Sequence, residues 1–362
     1  MAREKAFFTP GPAELYPNFE TFVQDFMDKQ YGSISHRSAA FKKIYQHTDE
    51  QLRELLAIPA EHAIMFTGSA SEIWERILLN CTEMETFHLV NGSFSKKFYS
   101  YAKALGRHVN AMEKPMGEGF SYGEIEVPEY AELISTTQNE TSTGVQMREA
   151  DIHKLKRSNS SKLISVDMVS SAPVPELDLS LIDTAYFSVQ KSFGLPAGLG
   201  VWIANEACLA KAYEIEAKSS SAMGAHHRLS GLWKQSKAYQ TPATPNVMGI
   251  YLLGRVAEDM NRKGRATIQK ETDQKAKRLY TYFENKEGFS LGVEKPEHRS
   301  RTVAVINTEV DSSSVITKLA ERNMVIGSGY GPNKSSQIRI ANFVANTSEQ
   351  IDLLLEAFEE LF

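Results

Sequence analysis

Lys191 lies between two short apolar runs of the sequence, TAYFSV at 184–189 and LGVWIA at 199–204. No acidic residue lies between Asp183 and Glu206, so this amine has no partner nearby in the chain. Many lysines at strand ends only reach water along their alkyl stems. A lysine held in apolar surroundings instead has a lowered pKa and can attack a carbonyl carbon. The sequence therefore predicts either a surface lysine or a reactive amine.

Two further features would complement a reactive amine. Asp167 ends the apolar run at 161–167, where an unpaired carboxylate is costly to bury; taken alone, it would also suit a helix N-cap or an ion pair. The turn GSAS at 68–71 leads into a helical pattern, and such a helix start offers N–H groups to a phosphate or forms an ordinary cap. Lysine, acid and phosphate turn together fit pyridoxal phosphate, which bonds to a lysine and needs an acid at its ring nitrogen.

The composition excludes several other classes of protein. The net charge of -5, without a basic cluster, argues against a nucleic-acid partner. Cys81 and Cys208 are too few for a disulfide framework and suit a reducing cytoplasm. No apolar run has the length of a signal peptide or a membrane span. The pair His226-His227, in the predicted polar loop at 219–230, lacks a carboxylate at helical spacing, so no metal site is expected.

Helical and strand patterns alternate through the first two thirds of the chain. Helical spacing of apolar residues spans 39–56 and 72–80, and strand-like runs occur at 63–68, 87–92, 131–137, 161–167 and 184–189. Nearly continuous apolar strands alternating with helices indicate a parallel sheet covered on both faces. Ligands of such sheets lie beyond the carboxyl ends of the strands. The segments that follow these runs are 68–71, 91–94 (NGSF), 139–141 (NET), Asp167 and Gln190-Lys191.

The pattern changes after about Ile250. One long charged helical stretch is predicted to continue to Tyr282, followed by strands at 302–308 and 336–343, a helix at 312–323 and a C-terminal helix from Ser348. This pattern is typical of a smaller α+β domain. We expect a large domain at 16–252 and a small domain that consists of 253–362 together with residues 1–15.

Several motifs occur together in one order. They are FFTPGPAELYP at 7–17, ISHRS at 34–38, NET at 139–141, VDMVSS at 166–171, QKSFGLPAGLG at 190–200, YQTPATPN at 239–246 and QIRIANF at 337–343. In this combination the chain resembles the class V aminotransferases, over essentially its whole length, and within that family the phosphoserine branch. The resemblance implies the α/β type I fold of pyridoxal-phosphate-dependent transferases, with a mostly parallel seven-stranded sheet in the large domain. It also implies pyridoxal 5'-phosphate as cofactor and a homodimer with shared active sites.

The resemblance assigns a role to each matching residue near the cofactor. Lys191 would bond covalently to the cofactor and move a proton at the substrate α-carbon, and Asp167 would hold the proton of the pyridinium nitrogen. Phe94 would stack on the ring in place of the usual tryptophan, and Thr141 would lie near the ring hydroxyl. Taken alone, Phe94 also suits a core residue and Thr141 a turn cap. The residues assigned to the phosphate are Ser69, Ala70, Ser71, Gln190, Gln240 and Thr241. Of these, Gln240 and Thr241 would come from a second subunit.

Three residues are assigned to the substrate by the same resemblance. Arg339 would bind the α-carboxylate, and His36 and Arg37 would receive the distal anionic group. An arginine that alternates with isoleucines also suits the solvent face of a strand, and His36-Arg37 also suits an ordinary surface pair near a helix start.

The substrate itself is left open between two branches. The resemblance favours transfer of an amino group from phosphoserine to 2-oxoglutarate in serine biosynthesis. However, SASE at 69–72 and GSGYGPNKSSQ at 327–337 lack the arginine and the His-Arg pair that are common in phosphoserine enzymes, and only Lys334 partly compensates. The alternative is an alanine or serine aminotransferase that uses glyoxylate or pyruvate. A third hypothesis, a binding protein that retains the cofactor without turnover, is opposed by the presence of both Lys191 and Asp167.

Overall fold

A computed structural model describes residues 4–218 and 224–362. Residues 219–223, the first part of the predicted polar loop, lie outside the described residues, and Ala225–His227 form a short 3₁₀ turn. Four helices, at 39–56, 70–81, 312–320 and 348–361, lie close to the predicted helical patterns, and the described residues form eleven helices in all. They are α1 Phe19–Asp28, α2 Ala39–Leu56, α3 Ala70–Cys81, α4 Ser93–Ala104, α5 Glu149–Ser158, α6 Glu206–Lys218, α7 Leu229–Lys237, α8 Val247–Lys263, α9 Arg265–Asn285, α10 Ser312–Ala320 and α11 Ser348–Leu361.

Two large sheets and one short pair contain the strands. These are β1 Ala6–Phe8, β2 Ala63–Thr67, β3 Glu85–Val90, β4 His108–Glu113, β5 Leu133–Thr137, β6 Asn139–Glu140, β7 Val145–Gln146, β8 Leu163–Asp167, β9 Thr184–Ser188, β10 Gly200–Ala204, β11 Phe289–Leu291, β12 Val303–Thr308, β13 Met324–Ser328 and β14 Gln337–Ala341.

The larger sheet has seven strands in the order β2-β10-β9-β8-β5-β3-β4. Only β10 runs against its neighbours; the other pairs are parallel. Strands β2, β9 and β10 are buried at every residue, as expected when helices cover both faces. The predicted fold, an α/β protein with a mostly parallel seven-stranded sheet, is confirmed.

The smaller sheet has the order β1-β13-β14-β12-β11. Strand β1 pairs in parallel with β13, so the N-terminal segment lies against strands from the end of the chain. Helices α9, α10 and α11 contribute Leu279, Leu319 and Phe358 to the apolar cluster beneath this sheet. The predicted domain limit at 252 falls inside α8, and the two domain ranges stay a prediction.

The single long helix predicted beyond Ile250 is wrong. Two helices, α8 and α9, occupy this stretch and are separated by Gly264. The backbone of Gly264 has φ +84, which ends α8 and is a conformation that residues with a Cβ rarely adopt. No helix in the described ranges is long and apolar enough to cross a membrane.

Candidate active site

A cavity of about 300 Å³ lies at the carboxyl ends of β8 and β9. Eight of the ten residues predicted to contact the cofactor line it. The parallel strands bring them together, because their carboxyl ends meet at one edge of the sheet. These eight residues are Ser69, Ala70, Ser71, Phe94, Thr141, Asp167, Gln190 and Lys191.

Lys191 is buried in this cavity. Its Nζ atom donates to the carbonyl of Pro10 and lies 5.8 Å from the centre of the Phe94 ring. The pKa of the Lys191 amine is lowered to about 8, first by burial and second by the positive charge of Arg339. At pH 7 about a tenth of this amine is therefore uncharged, and the uncharged form is the nucleophile toward an aldehyde.

Gly11 gives the Lys191 side chain its space, a role that sequence reasoning missed. A Cβ atom on Gly11 would lie 2.4 Å from Nζ and 2.5 Å from Cε of Lys191. The backbone of Gly11 also has φ +132, which residues with a Cβ rarely adopt. The glycine between two prolines in TPGP was the available sequence signal.

Asp167 ends β8 and is buried. The pKa of its carboxyl group is raised to about 7, mainly because burial disfavours the charged form, with the negative charge of Glu140 acting in the same direction. The backbone N–H of Val169 donates to Oδ1 at 2.8 Å and opposes this shift. A carboxyl group of this kind readily shares a proton with a ring nitrogen.

Helix α3 points its N-terminus at the cavity. Ser69 is the N-cap, and its hydroxyl accepts from the N–H of Glu72 at 3.2 Å. The N–H of Ala70 donates to Oγ of Ser188 at 3.0 Å. Ser188 also lines the cavity and was not predicted from the sequence. The carboxylate of Glu72 pairs with Arg76 at 2.6 Å. The helix end thus keeps its positive polarity toward the cavity, which suits a phosphate.

Glu140 is a fully buried carboxylate that the sequence analysis quoted only as part of a motif. Its Oε2 atom accepts from the N–H of Ser95 at 2.9 Å, and Oε1 accepts from the N–H of Ser142 at 3.2 Å and of Phe94 at 3.4 Å. Because Gly92 at the start of α4 has no side chain, Glu140 caps this helix from another loop. Glu140 therefore fixes the helix turn that carries Phe94.

Arg339 does not line the cavity but lies beside it. Its Nε atom donates to the carbonyl of Ser328 at 2.7 Å, and Nη1 donates to the carbonyl of Thr141 at 3.2 Å. Burial lowers the pKa of the Arg339 guanidinium. Its central carbon lies 5.2 Å from the ring centre of Tyr330. Arg339 is thus joined to the loop that connects β6 and β7, which carries Thr141.

The remaining predicted residues gather elsewhere in the same chain. Nη1 of Arg37 donates to Oε1 of Gln240 at 3.2 Å and to the carbonyl of Thr241 at 2.9 Å. Thr241 lines a second cavity of about 240 Å³, next to Gly68 and Arg76. His36 precedes this cluster and is half-buried. Within one chain, none of these four residues, His36, Arg37, Gln240 and Thr241, lines the cavity around Lys191.

The donor set of the Lys191 cavity fits pyridoxal 5'-phosphate. Lys191 supplies an amine with a lowered pKa, Asp167 an acid, Phe94 an aromatic face and helix α3 a polar helix end. In the described part of the chain, His, Cys, Asp and Glu side chains nowhere form a group of three or more that would hold a metal ion.

Known proteins resemble this chain over its whole length. Residues 6–354 match the family described as Aminotransferase class-V. The solved structure of a phosphoserine aminotransferase from Cytophaga hutchinsonii is 43% identical, with a TM-score of 0.97 and 100% of both chains covered. A curated phosphoserine aminotransferase from Rhodococcus opacus is 25% identical over 97% of this chain and 94% of its own. An alanine–glyoxylate aminotransferase from Nostoc sp. is 21% identical, with a TM-score of 0.83 over 99% of this chain and 96% of its own, and shares the fold.

The chain belongs to the class V aminotransferases. It is a pyridoxal-phosphate-dependent aminotransferase, so the predicted family, enzyme class and cofactor are confirmed.

Proposed function

We propose that the chain is a phosphoserine aminotransferase, which transfers an amino group reversibly between phosphoserine and 2-oxoglutarate. In serine biosynthesis the reaction runs from glutamate and 3-phosphooxypyruvate to phosphoserine and 2-oxoglutarate. The observation that carries this proposal is the similarity over the whole chain to the Cytophaga hutchinsonii protein of that name. The cavity around Lys191 supports it, because its groups suit the cofactor of an aminotransferase.

The chain's own residues perform distinct tasks in this proposal. Bound pyridoxal 5'-phosphate supplies an electron sink for the bonds broken at the substrate α-carbon. The Lys191 amine holds the cofactor between turnovers and moves the proton at the α-carbon. With the cofactor bound, Asp167 would hold the proton at the ring nitrogen, Phe94 would cover a ring face and Thr141 would serve the ring hydroxyl. The phosphate is assigned to the backbone at Ser69, Ala70 and Ser71 and to Gln190.

Arg339 receives the substrate α-carboxylate in this proposal. Among the described residues, no acceptor takes a hydrogen bond from its Nη2 atom, and Nη1 gives only one. A guanidinium with free donors on two nitrogens suits the paired contact with a carboxylate. Lys334 is exposed and does not line the cavity, so the distal phosphate is assigned to His36 and Arg37.

The proposed enzyme is a homodimer whose active sites are shared. Arg37, Gln240 and Thr241 contact one another but lie away from the Lys191 cavity of their own chain. A polar cluster of this composition would serve the cavity of a second subunit. In a mixed dimer of Lys191→Ala and Arg37→Ala chains, one site would contain both wild-type residues.

Subunit mixing tests this arrangement. Each variant alone should be impaired, and refolding the two together should restore up to about a quarter of wild-type activity: half of the dimers are mixed, and each has one intact site. The control mixes Lys191→Ala chains with Asp167→Ala chains. Both residues belong to the cavity of their own chain, so each cavity of a mixed dimer carries one substitution and no intact site forms. Activity in the first mixture no greater than in the control would contradict shared sites.

Glutamate formation from 2-oxoglutarate tests the substrate assignment. Phosphoserine, alanine and serine are supplied in turn to the purified enzyme, and glutamate is measured with a coupled dehydrogenase. We expect phosphoserine to give the largest kcat/KM. The alternative acceptors are tested separately, with alanine or serine as donor to glyoxylate and serine as donor to pyruvate, and the glycine or alanine formed is measured. A larger kcat/KM in these reactions would instead place the enzyme in the alternative branch.

We further propose that the enzyme is cytoplasmic, with domains at 16–252 and at 253–362 with 1–15. Cys81 and Cys208 are both free thiols, which suits a reducing compartment. The small sheet joins β1 to strands after residue 288, in keeping with the second domain range. Cell fractionation tests the location, and limited proteolysis with mapping of the fragments tests the domain limits.

A further inference from the structure

Tyr330 lies in the loop between β13 and β14, and β14 carries Arg339. The N–H of Gly329 donates to the carbonyl of Gln337 at 2.6 Å, which closes the loop at its base. A Cβ atom on Gly329 would lie 2.0 Å from the carbonyl oxygen of Asn333, so this tight turn accepts only glycine. The loop backbone therefore fixes where Tyr330 stands.

The ring of Tyr330 has a neighbour on each side. The guanidinium carbon of Arg339 lies 5.2 Å from its centre, within the range of a cation–π contact. The ring of Phe94 lies 5.4 Å away at an angle of 46°. Phe94 in turn lies 5.8 Å from Nζ of Lys191. Tyr330 thus stands between the aromatic cover of the cofactor and the arginine beside it.

Arg339 is only partly held by hydrogen bonds. Nε donates to the carbonyl of Ser328 at the end of β13, and Nη1 donates to the carbonyl of Thr141 in the loop after β6. The side chain still needs a surface that sets the plane of the guanidinium and keeps water from one face. An aromatic ring does both, because it attracts the cation and offers no hydrogen-bond acceptor in competition with a carboxylate.

We propose that Tyr330 is a positioning residue for Arg339, whose ring holds the guanidinium in the orientation that receives the substrate α-carboxylate and closes that side of the carboxylate pocket. An amino acid that reaches from Lys191 to Arg339 passes along this ring. The role belongs to the ring and not to the hydroxyl group. The inference rests on the proposed role of Arg339.

The test measures binding of maleate, a dicarboxylate without an amino or oxo group, to the holoenzyme through the absorption of the bound cofactor. Tyr330→Leu, which keeps apolar bulk without the aromatic face, should raise the Kd roughly 2- to 30-fold. Tyr330→Phe should stay within about 2-fold of wild type, since the ring remains. Tyr130→Leu, at a side chain that is 78% exposed, is the matched control and should change nothing.

Two further measurements separate positioning from general damage. Binding of n-propylamine, which has an amine but no carboxylate, should be unaffected by Tyr330→Leu. The same variant should raise the KM of both the amino acid and the oxo acid while kcat at saturation is retained. Equal weakening of n-propylamine and maleate, or a lower kcat with an unchanged Kd for maleate, would overturn the inference.

Arg339→Lys distinguishes failure of this inference from failure of the proposed function. The variant keeps the charge but loses the planar fork, so maleate should bind more weakly. If Arg339→Lys weakens maleate binding and Tyr330→Leu does not, only the inference about Tyr330 is overturned. If Arg339→Lys leaves maleate binding unchanged, the role of Arg339 is wrong and the inference is overturned with it.

Discussion

Glu140→Ala removes the carboxylate that caps helix α4 and, through this helix, locates Phe94. The N–H groups of Ser95 and Ser142 donate to Glu140 at 2.9 and 3.2 Å. Each buried donor left without a partner costs about 1–3 kcal/mol. We therefore expect the free energy of unfolding to fall by about 2–6 kcal/mol.

Glu140→Gln should have an intermediate effect. The amide keeps one acceptor oxygen, but its NH₂ group faces a donor in place of the second oxygen. Of the N–H groups of Ser95 and Ser142, only one then loses its partner, so the free energy of unfolding should fall by about 1–3 kcal/mol. If hydrogen bonds are what is lost, the free energy of unfolding should decrease from wild type to Glu140→Gln to Glu140→Ala. If only the charge matters, both variants should be equally unstable.

Urea unfolding of the holoenzyme at one fixed protein concentration measures these differences. Glu356→Ala, on the exposed face of α11, is the matched control and should lie within about 0.5 kcal/mol of wild type. Equilibrium dialysis of the cofactor gives a second measurement, because displacement of Phe94 should weaken cofactor binding. If Glu140→Ala is as stable as the control, the capping role assigned to Glu140 is refuted.

Three other perturbations have definite expected outcomes. Gly11→Ala should abolish the covalent attachment of the cofactor, read from its visible absorption, because the added Cβ would lie 2.4 Å from Nζ of Lys191; an unchanged spectrum would contradict the packing described. In the cofactor-free protein the pKa of Asp167 is raised to about 7. Between about pH 4 and 7 the native state therefore binds more protons than the unfolded state. The free energy of unfolding should fall as the pH rises through this window. Asp167→Asn should flatten that part of the urea-midpoint profile, and an identical profile would contradict the shift. Gly264→Ala should destabilise the protein by about 1–3 kcal/mol in a urea titration, because φ is +84 there; wild-type stability would mean that the break between α8 and α9 tolerates a side chain.

The central strands were predictable because they are apolar on both faces. Strands β8 and β9 appear in the sequence as runs of low charge, and the structure places both in the middle of the sheet. Strand β4 was missed because it lies at the sheet edge, alternates in exposure and contains polar residues. Strands β1 and β11 have three residues each, too few for a periodic pattern. Their pairing is decided by distant parts of the chain.

The site was predictable to the extent that single residues were unusual in their own surroundings. Lys191 and Asp167 are charged residues within or beside apolar runs, and this made them recognisable. Gly11 and Glu140 act on partners far along the chain; Pro10 and Lys191, which meet in the cavity, are 181 positions apart. Tertiary contacts of this kind leave no local signal, so their roles emerge only when the fold is known.

The distribution of charge indicates where substrate selection takes place. Lys191 and Asp167 are the only charged residues of the described chain that line the cofactor cavity, and they carry opposite signs. Beside them, Arg339 and Glu140 form a second set of opposite charges that acts on the pKa of Lys191. With Arg339 assigned to the α-carboxylate, one chain has no surplus positive side chain for a distal phosphate. If the proposed sites are shared between subunits, the choice between phosphoserine and a neutral amino acid depends on Arg37 supplied by the second subunit, and Arg37→Ala should reduce kcat/KM for phosphoserine far more than for alanine.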